Sequence, residues 1–377
     1  MKRPLPDEPV AARAAMSERI RAALDWLCAS QDAVAGGGSS AYYVPIVGWF
    51  PPYPETTGYI IPTLLRAAAV YDYPEYAVRA LRMADWLLAL QLPEGAFPGG
   101  LYRPRRPGRA SVFNTAQILL GLCVMHVYSR ESRFHEAAER AATWLVREQD
   151  PDGRWRKHAY EPEFSPSYYA HVCWPLAVYG KQFGDPEVLR CVERGLEAVL
   201  SDRLANGAFV NWGFRPGAPA FTHTIGYILQ GLLECAVALE AWDRYGAPAA
   251  DSCARLLRRC ETQGRIAGSY DADWRGDLSF VCLTGHCQLA SAWLRVYERG
   301  GDPRYLNVAA KALDEVCRRQ RLRPGRRLHG AIAGSHPLYG CYLTMRYPNW
   351  AAKFFVDAML DFQRRLDALD AGGATHG

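Results

Sequence analysis

The chain has 377 residues, 49% hydrophobic and 22% charged, so it can bury a sizeable core and is not a disordered polyelectrolyte. Its net charge is +5, and 39 of the 44 basic residues are arginine, a balance that suits carboxylate or phosphate ligands because guanidinium pairs with them bidentately. No eighteen-residue apolar run predicts a membrane span, no recognition module accompanies the basic run 318–327 to predict a nucleic-acid partner, and eleven scattered cysteines without an export signal point to a reducing, cytoplasmic setting.

In chain order, residues 1–17, with Pro4, Pro6 and Pro9, read as a disordered lead. Residues 18–369 read as one domain built on a weak internal repeat, and the Gly- and Ala-rich 370–377 as a frayed tail. The repeat is Trp-Leu-x-x-x-Gln, beginning at Trp26, Trp86 and Trp144 with spacings of 60 and 58 residues. Degraded copies follow near Val199, Cys260 and Val316. Each copy ends an amphipathic helix. Most are followed by a Gly-x-aromatic loop, as in Gly95-Ala96-Phe97 and Gly153-Arg154-Trp155, where glycine supplies the positive φ that stops a helix.

A second, strongly apolar helix follows each loop, with predicted starts at Thr57, Asn114, Tyr168, Thr222, Leu283 and Asn349. Helices apolar all round belong inside and amphipathic ones outside. Six such pairs predict an all-α (α/α)6 toroid of six helical hairpins, with inner and outer helix rings. The inner-to-outer connections are short, as at Gly184-Asp185-Pro186, and the outer-to-inner ones are long. All six long loops therefore gather at one end, with the positive N-termini of the inner helices, and that end is the predicted site.

The chemically capable residues collect there. The catalytic candidates are Glu55, Tyr169, His223, Asp271, Asp273 and His286. Asp271 and Asp273 could split acid and stabiliser roles, the histidines could move protons at an inner-helix start, and Glu55 follows a rigid Pro51-Pro52-Tyr53-Pro54 run. For each the structural alternative is a cap or turn role. The substrate-binding candidates are Trp49, Tyr53, Asn114, His171, Trp212, Trp274, Arg346, Tyr347, Asn349 and Lys353, a wider group that also takes in Tyr160 and Tyr168. Aromatic faces stack on sugar rings, and Arg346 or Lys353 would neutralise a carboxylate. Cys282 and His286 share a helix face and with Asp271 would make a three-ligand set, but no Cys-x-x-Cys supports it. No metal and no cofactor is expected.

The phrase from Cys282 to Ala290, followed by Trp293-Leu294-Arg295-Val296-Tyr297-Glu298 and Asp302-Pro303-Arg304-Tyr305-Leu306, resembles the helix-turn-helix phrase of six-hairpin carbohydrate-active proteins. Among these are the helical domain of glucuronyl C5-epimerases and several polysaccharide lyases. Pro54-Glu55-Thr56-Thr57-Gly58-Tyr59 and Tyr347-Pro348-Asn349-Trp350-Ala351 are similar to such proteins too. The resemblance implies an oligosaccharide or polysaccharide substrate; the basic balance together with the His, Tyr and Asp candidates points to an anionic, uronate-containing one, with lyase or C5-epimerase chemistry and hydrolysis as the competitor. The Trp-Leu-x-x-x-Gln repeat also resembles that of triterpene cyclases and prenyltransferase β-subunits, implying a terpene-cyclase-like alternative. The class II cyclase acid motif Asp-x-Asp-Asp is broken here, where Asp271-Ala272-Asp273 runs into Trp274. A non-catalytic glycan-binding protein is the third reading.

Overall fold

A computed structural model describes residues 9–106 and 108–373. The outer helices are α1 (Pro9–Asp32), α3 (Glu75–Leu88), α5 (Ser132–Arg147), α7 (Pro186–Ser201), α9 (Ala247–Gln263) and α11 (Pro303–Cys317). The inner helices are α2 (Pro54–Tyr71), α4 (Val112–Ser129), α6 (Ala170–Phe183), α8 (Thr222–Ala238), α10 (Leu283–Gly300) and α12 (Asn349–Gly373). Each inner helix packs on the next around the ring, and α12 closes onto α2. The protein is thus the all-α (α/α)6 toroid that the repeat predicts. Three of the predicted inner starts, Thr222, Leu283 and Asn349, are the observed first residues. By length and composition α4 could cross a membrane, but 72% of it is buried in the inner wall.

Small residues let the inner helices approach closely. A Cβ on Gly121 would strike the Gly58 carbonyl of α2, and one on Gly231 the backbone of Ala170. The long loops carry short strands that join neighbouring hairpins. They are β1 (Tyr42–Val44), β2 (Gly48–Trp49), β3 (Ala220–Phe221), β4 (Ser269–Tyr270), β5 (Gly276–Asp277), β6 (Val281–Cys282), β7 (Ser335–His336) and β8 (Tyr347–Pro348). They form sheets β2-β1-β8, β3-β4-β5 and β6-β7, all antiparallel.

The repeat has a mechanical reason. Gln91 Nε2 donates to Gly95 O of its own loop (2.9 Å) and to Ala137 O of the next outer helix (2.8 Å). Gln149 does the same to Gly153 O (3.0 Å) and Cys191 O (2.9 Å), and Gln31 to Gly37 O (2.8 Å) and Arg79 O (3.0 Å). The loop glycine then abuts the carbonyl three residues further along that outer helix: Arg82, Arg140 or Arg194. A Cβ there would overlap the carbonyl oxygen, and φ is positive at Gly37, Gly95 and Gly153. Glutamine and glycine together therefore staple each hairpin to its neighbour. In the degraded fourth repeat, Ser252 donates to Gly207 O (2.8 Å) instead. Gln149→Ala should remove two bonds to largely buried carbonyls and cost about 2 kcal/mol, seen as a lower urea midpoint at unchanged slope.

The domain boundaries differ from the sequence reading. Helix α1 starts at Pro9, inside the 1–17 segment read as disordered, and α12 runs on to Gly373, into the predicted tail. Proline at a first helical position sacrifices no hydrogen bond. The two ends also hold each other, because Arg13 of α1 pairs with Asp367 (2.7 Å) and Asp370 of α12. Residues 1–8 and 374–377 of the expected lead and tail lie outside the described residues.

Candidate active site

Glu55 sits in the first turn of α2, behind a loop whose backbone is tied at three points. Tyr53 N donates to Ser39 O (3.0 Å), Tyr102 N donates to Pro52 O (2.8 Å), and Ser40 bridges Pro52. The run of prolines leaves the segment few other conformations. It places Glu55, 8% exposed, in the wall of a cavity of about 660 Å³ at the loop end of the ring. The inner-helix starts of α2, α4 and α8 contribute Glu55, Tyr59, Phe113, Asn114, His223 and Tyr227. The loops add Tyr53, Tyr160, Tyr168, Phe214, Arg215, Phe221, Tyr342 and Arg346, and α12 adds Trp350.

The electrostatics single out one group. Burial pushes the Glu55 carboxyl up to about 7, and the Tyr53 phenol beside it offsets only part of that rise. Glu55 is the one carboxylate among the residues lining this cavity. His223 is moved the other way. Burial lowers it to about 4, against the opposing effect of Gln288. Gln288 Oε1 accepts from Nδ1 at 2.6 Å, which fixes the tautomer and leaves Nε2 with a lone pair. Tyr227 and Tyr342 pack on the ring at 4.3 and 5.1 Å between centroids. Burial also raises the phenols of Tyr53, Tyr59, Tyr168, Tyr227 and Tyr342, so all stay protonated. Two cationic groups reach the cavity. The Arg346 guanidinium rests over the Tyr42 ring at 5.1 Å, and Arg215 stands 4.0 Å from Glu161.

Five of the catalytic and substrate-binding candidates meet here: Tyr53, Glu55, Asn114, His223 and Arg346, joined by Tyr160 and Tyr168 of the wider set. Others pack outside the cavity lining. His171 is buried against Tyr227 (4.5 Å) and bonded to Gln117 (3.0 Å). Lys353 pairs with Asp357 at 2.9 Å and lies over Tyr59 and Phe354, whereas Arg346 is among the residues lining the cavity. Tyr169 is fully buried beside Phe113. Asn349 Nδ2 donates to Ser39 Oγ, Ser40 O and Thr56 Oγ1, a seam between α12 and α2 rather than a ligand contact. Trp49 stacks on Trp26 at 4.5 Å, and Tyr347 pairs with Tyr43 across β1 and β8.

The remaining candidates take structural positions. Asp271 and Asp273 do not line the cavity. Asp271 Oδ1 accepts from the backbone of Asp273 (3.0 Å) and Arg275 (2.8 Å), capping a turn, while Asp273 is exposed and pairs with Arg275 (3.0 Å). Trp212 and Trp274 pack edge to face at 5.1 Å, and Trp274 Nε1 donates to Asn206 O. His286 turns outward, with Nδ1 bonded to Cys282 O (3.0 Å), and lines a separate cleft between α9 and α11. Among the described residues, no three His, Cys, Asp or Glu side chains gather at metal-ligand spacing.

Sequence reasoning missed Tyr59 and Tyr227, yet both carried a signal. Each lies four residues after a candidate, Glu55 or His223, and so on the same helix face. Phe214, Arg215 and Tyr342 come from irregular loops, where no periodicity points to them.

The buried histidines make the fold acid-sensitive. His171 is lowered by burial to about 3, and His223 and His286 to about 4. Above pH 6.5 all are neutral folded or unfolded. Below it the unfolded chain takes up protons that the folded chain refuses, so stability falls as pH drops from 6.5 toward 4. Melting temperatures at pH 7.5, 5.5 and 4.5 should decline, with a shallower slope in His171→Gln.

No family model matches the chain. A stretch of 84 residues is 34% identical to the ent-copalyl diphosphate synthase of Streptomyces sp. (strain KO-3988), covering 22% of this chain and 15% of that protein's length. Among solved structures, an unsaturated glucuronyl hydrolase specific for heparin superposes with a TM-score of 0.74 at 14% identity, covering 94% of this chain and 98% of that one. The cellobiose 2-epimerase of Spirochaeta thermophila DSM 6192 gives 0.73 at 16% identity, over 96% and 100%. A D-mannose isomerase gives 0.73 at 12% identity, again over 96% and 100%. At these identities the likeness is one of fold, and the chain shares with these proteins the closed ring of six helical hairpins.

Proposed function

We propose that the protein is a carbohydrate-active enzyme that abstracts a proton beside the carboxylate of a uronate-containing sugar, in lyase or C5-epimerase chemistry. The observation that carries this reading is Glu55, a lone buried carboxylate with a pKa near 7 in an aromatic cavity. A general base is most effective when its pKa matches the working pH, and His223 at about 4 is too weakly basic to compete. Arg346 supplies the charge that stabilises the enolate formed on proton loss. The protonated phenols supply hydrogen bonds and a proton donor, and the aromatic walls suit the faces of a pyranose. Hydrolysis by a carboxylate pair lacks its second carboxylate among the lining residues. The solved neighbours with a glucuronyl hydrolase and sugar epimerases among them support a sugar substrate. Eleven cysteines without a disulfide support the cytoplasmic setting.

The test is a panel of uronate-containing oligosaccharides incubated with the full chain. Formation of an ultraviolet-absorbing unsaturated uronate marks elimination, and uptake of solvent deuterium at C5 marks epimerisation. Neither signal on any substrate, with new reducing ends instead, would replace this chemistry by hydrolysis. A terpene-cyclase-like enzyme is the second reading, supported by the 84-residue likeness and by the aromatic lining. Turnover of a prenyl diphosphate with no change in any uronate would favour it.

A further inference from the structure

The loop between α11 and α12 carries four arginines that the site above does not use. Arg321, Arg323, Arg326 and Arg327 are all exposed and line one open groove of about 830 Å³ together with Tyr43 and Pro45. No carboxylate lines this groove, and among the described residues none of the four makes an ion pair. This sets them apart from the arginines that are neutralised inside the fold. Arg13, Arg79, Arg133, Arg154, Arg156 and Arg295 each meet an acid at hydrogen-bond distance. Four cations held in one groove repel one another, and an anion from outside would relieve that repulsion.

A second feature adjoins them. Pro45 opens the turn between β1 and β2, and the next two residues are Ile46, 92% exposed, and Val47, 69% exposed. The turn is closed by Val47 N donating to Val44 O (3.1 Å), and Gly48 follows with a positive φ. Such a tip ordinarily carries Gly, Asn, Asp or Ser. Two β-branched apolar side chains there have no partner within the fold. An anionic polymer would account for the arginines but not for Ile46 and Val47. A surface offering both negative charge and an apolar layer accounts for both.

We infer that this face docks on an anionic lipid surface, with Ile46 and Val47 entering the headgroup layer and the four arginines meeting lipid phosphates or carboxylates. The occupant is a membrane surface met from one side; α4, the described helix long and apolar enough to cross it, is mostly buried in the inner wall. The loop belongs to the same end of the ring as the cavity mouth, because both lie among the outer-to-inner connections. Docking therefore brings the cavity to the membrane side of the molecule. The inference does not depend on the sugar chemistry proposed above.

The test uses the full chain and vesicles of phosphatidylcholine alone or with about one-third phosphatidylglycerol, read by co-sedimentation at low and high salt. The expected result is binding to the anionic vesicles only, weakened by salt. Each arginine replaced by glutamine should weaken it about fivefold, and Ile46→Asp with Val47→Asp should weaken it further. All six positions are on exposed loops, and unchanged melting curves would establish that the variants fold. Equal binding of wild type and the four-arginine variant would overturn the inference. So would capture of heparin or duplex DNA in place of vesicles, lost on arginine replacement but indifferent to Ile46 and Val47.

Discussion

Glu55→Gln is expected to reduce turnover by about 10²- to 10⁴-fold, the usual contribution of a positioned general base, while making the protein more stable at neutral pH. Glutamine keeps the shape and cannot ionise. In the wild type, burial holds the folded carboxyl near 7 against an ordinary 4.5. Below pH 4.5 both states are protonated and there is no cost. As pH rises from 4.5 to 7 the unfolded chain ionises this carboxyl more readily than the folded one does, so Glu55 by itself costs stability across that window, against the larger and opposite contribution of the three buried histidines. Glutamine escapes the loss, which amounts to roughly 3 kcal/mol. Urea denaturation at pH 5 and pH 8 should therefore show the variant gaining mainly at pH 8. The wild-type kcat/KM should rise with pH through about 7, because a base works when deprotonated. A variant that keeps activity would remove Glu55 from the chemistry. One that loses activity without gaining stability would deny that burial tunes the group. A purely glycan-binding protein would show neither turnover nor this profile.

Gly330→Ala should be the most damaging single-methyl change. Gln320 Nε2 donates to Arg19 O (2.9 Å) and Gly330 O (3.4 Å), repeating in the last hairpin the staple seen at Gln91 and Gln149. Here the neighbour is α1, so this staple closes the ring. Gly330 has φ +82°, and a Cβ would overlap the carbonyl oxygen of Ala22, on a buried stretch of helix that cannot retreat. The cost should exceed about 3 kcal/mol, in the range reserved for core overpacking and backbone strain together. Gly325 is the control. It lies in the same loop with φ +71°, and nothing stands within 4 Å of its Cβ position. Gly325→Ala should cost about 1 kcal/mol from the backbone alone. Melting both variants side by side separates ring closure from strain. Equal losses would mean that the close approach at Ala22 is not what makes Gly330 necessary.

Much of this architecture was readable before any fold was known. Trp-Leu-x-x-x-Gln with its following glycine recurs because every hairpin must grip the next outer helix in the same way, and a repeated contact leaves a repeated phrase. The apolar runs of α4 and α8 identified the inner wall. The uneven connections identified the end that carries the cavity. Glu55 and His223 were visible as candidates because each lies at the start of an inner helix.

What the sequence could not decide was which way each side chain faces and how deeply it is buried. His223 and His286 occupy the start of successive inner helices and look equivalent in sequence. The tertiary structure sends His223 to the cavity and His286 outward between α9 and α11. Asp271 and Asp273 look like a catalytic pair, yet the turn after β4 uses one as a cap and leaves the other in solvent. The Glu55 pKa is wholly a tertiary property. An exposed glutamate at a helix N-terminus would ionise readily, and only the walls from α4, α8 and the loops exclude the water that would allow it. The repeat, being local contact chemistry, is written in the chain. The value of a buried charge is set by distant residues that folding brings around it.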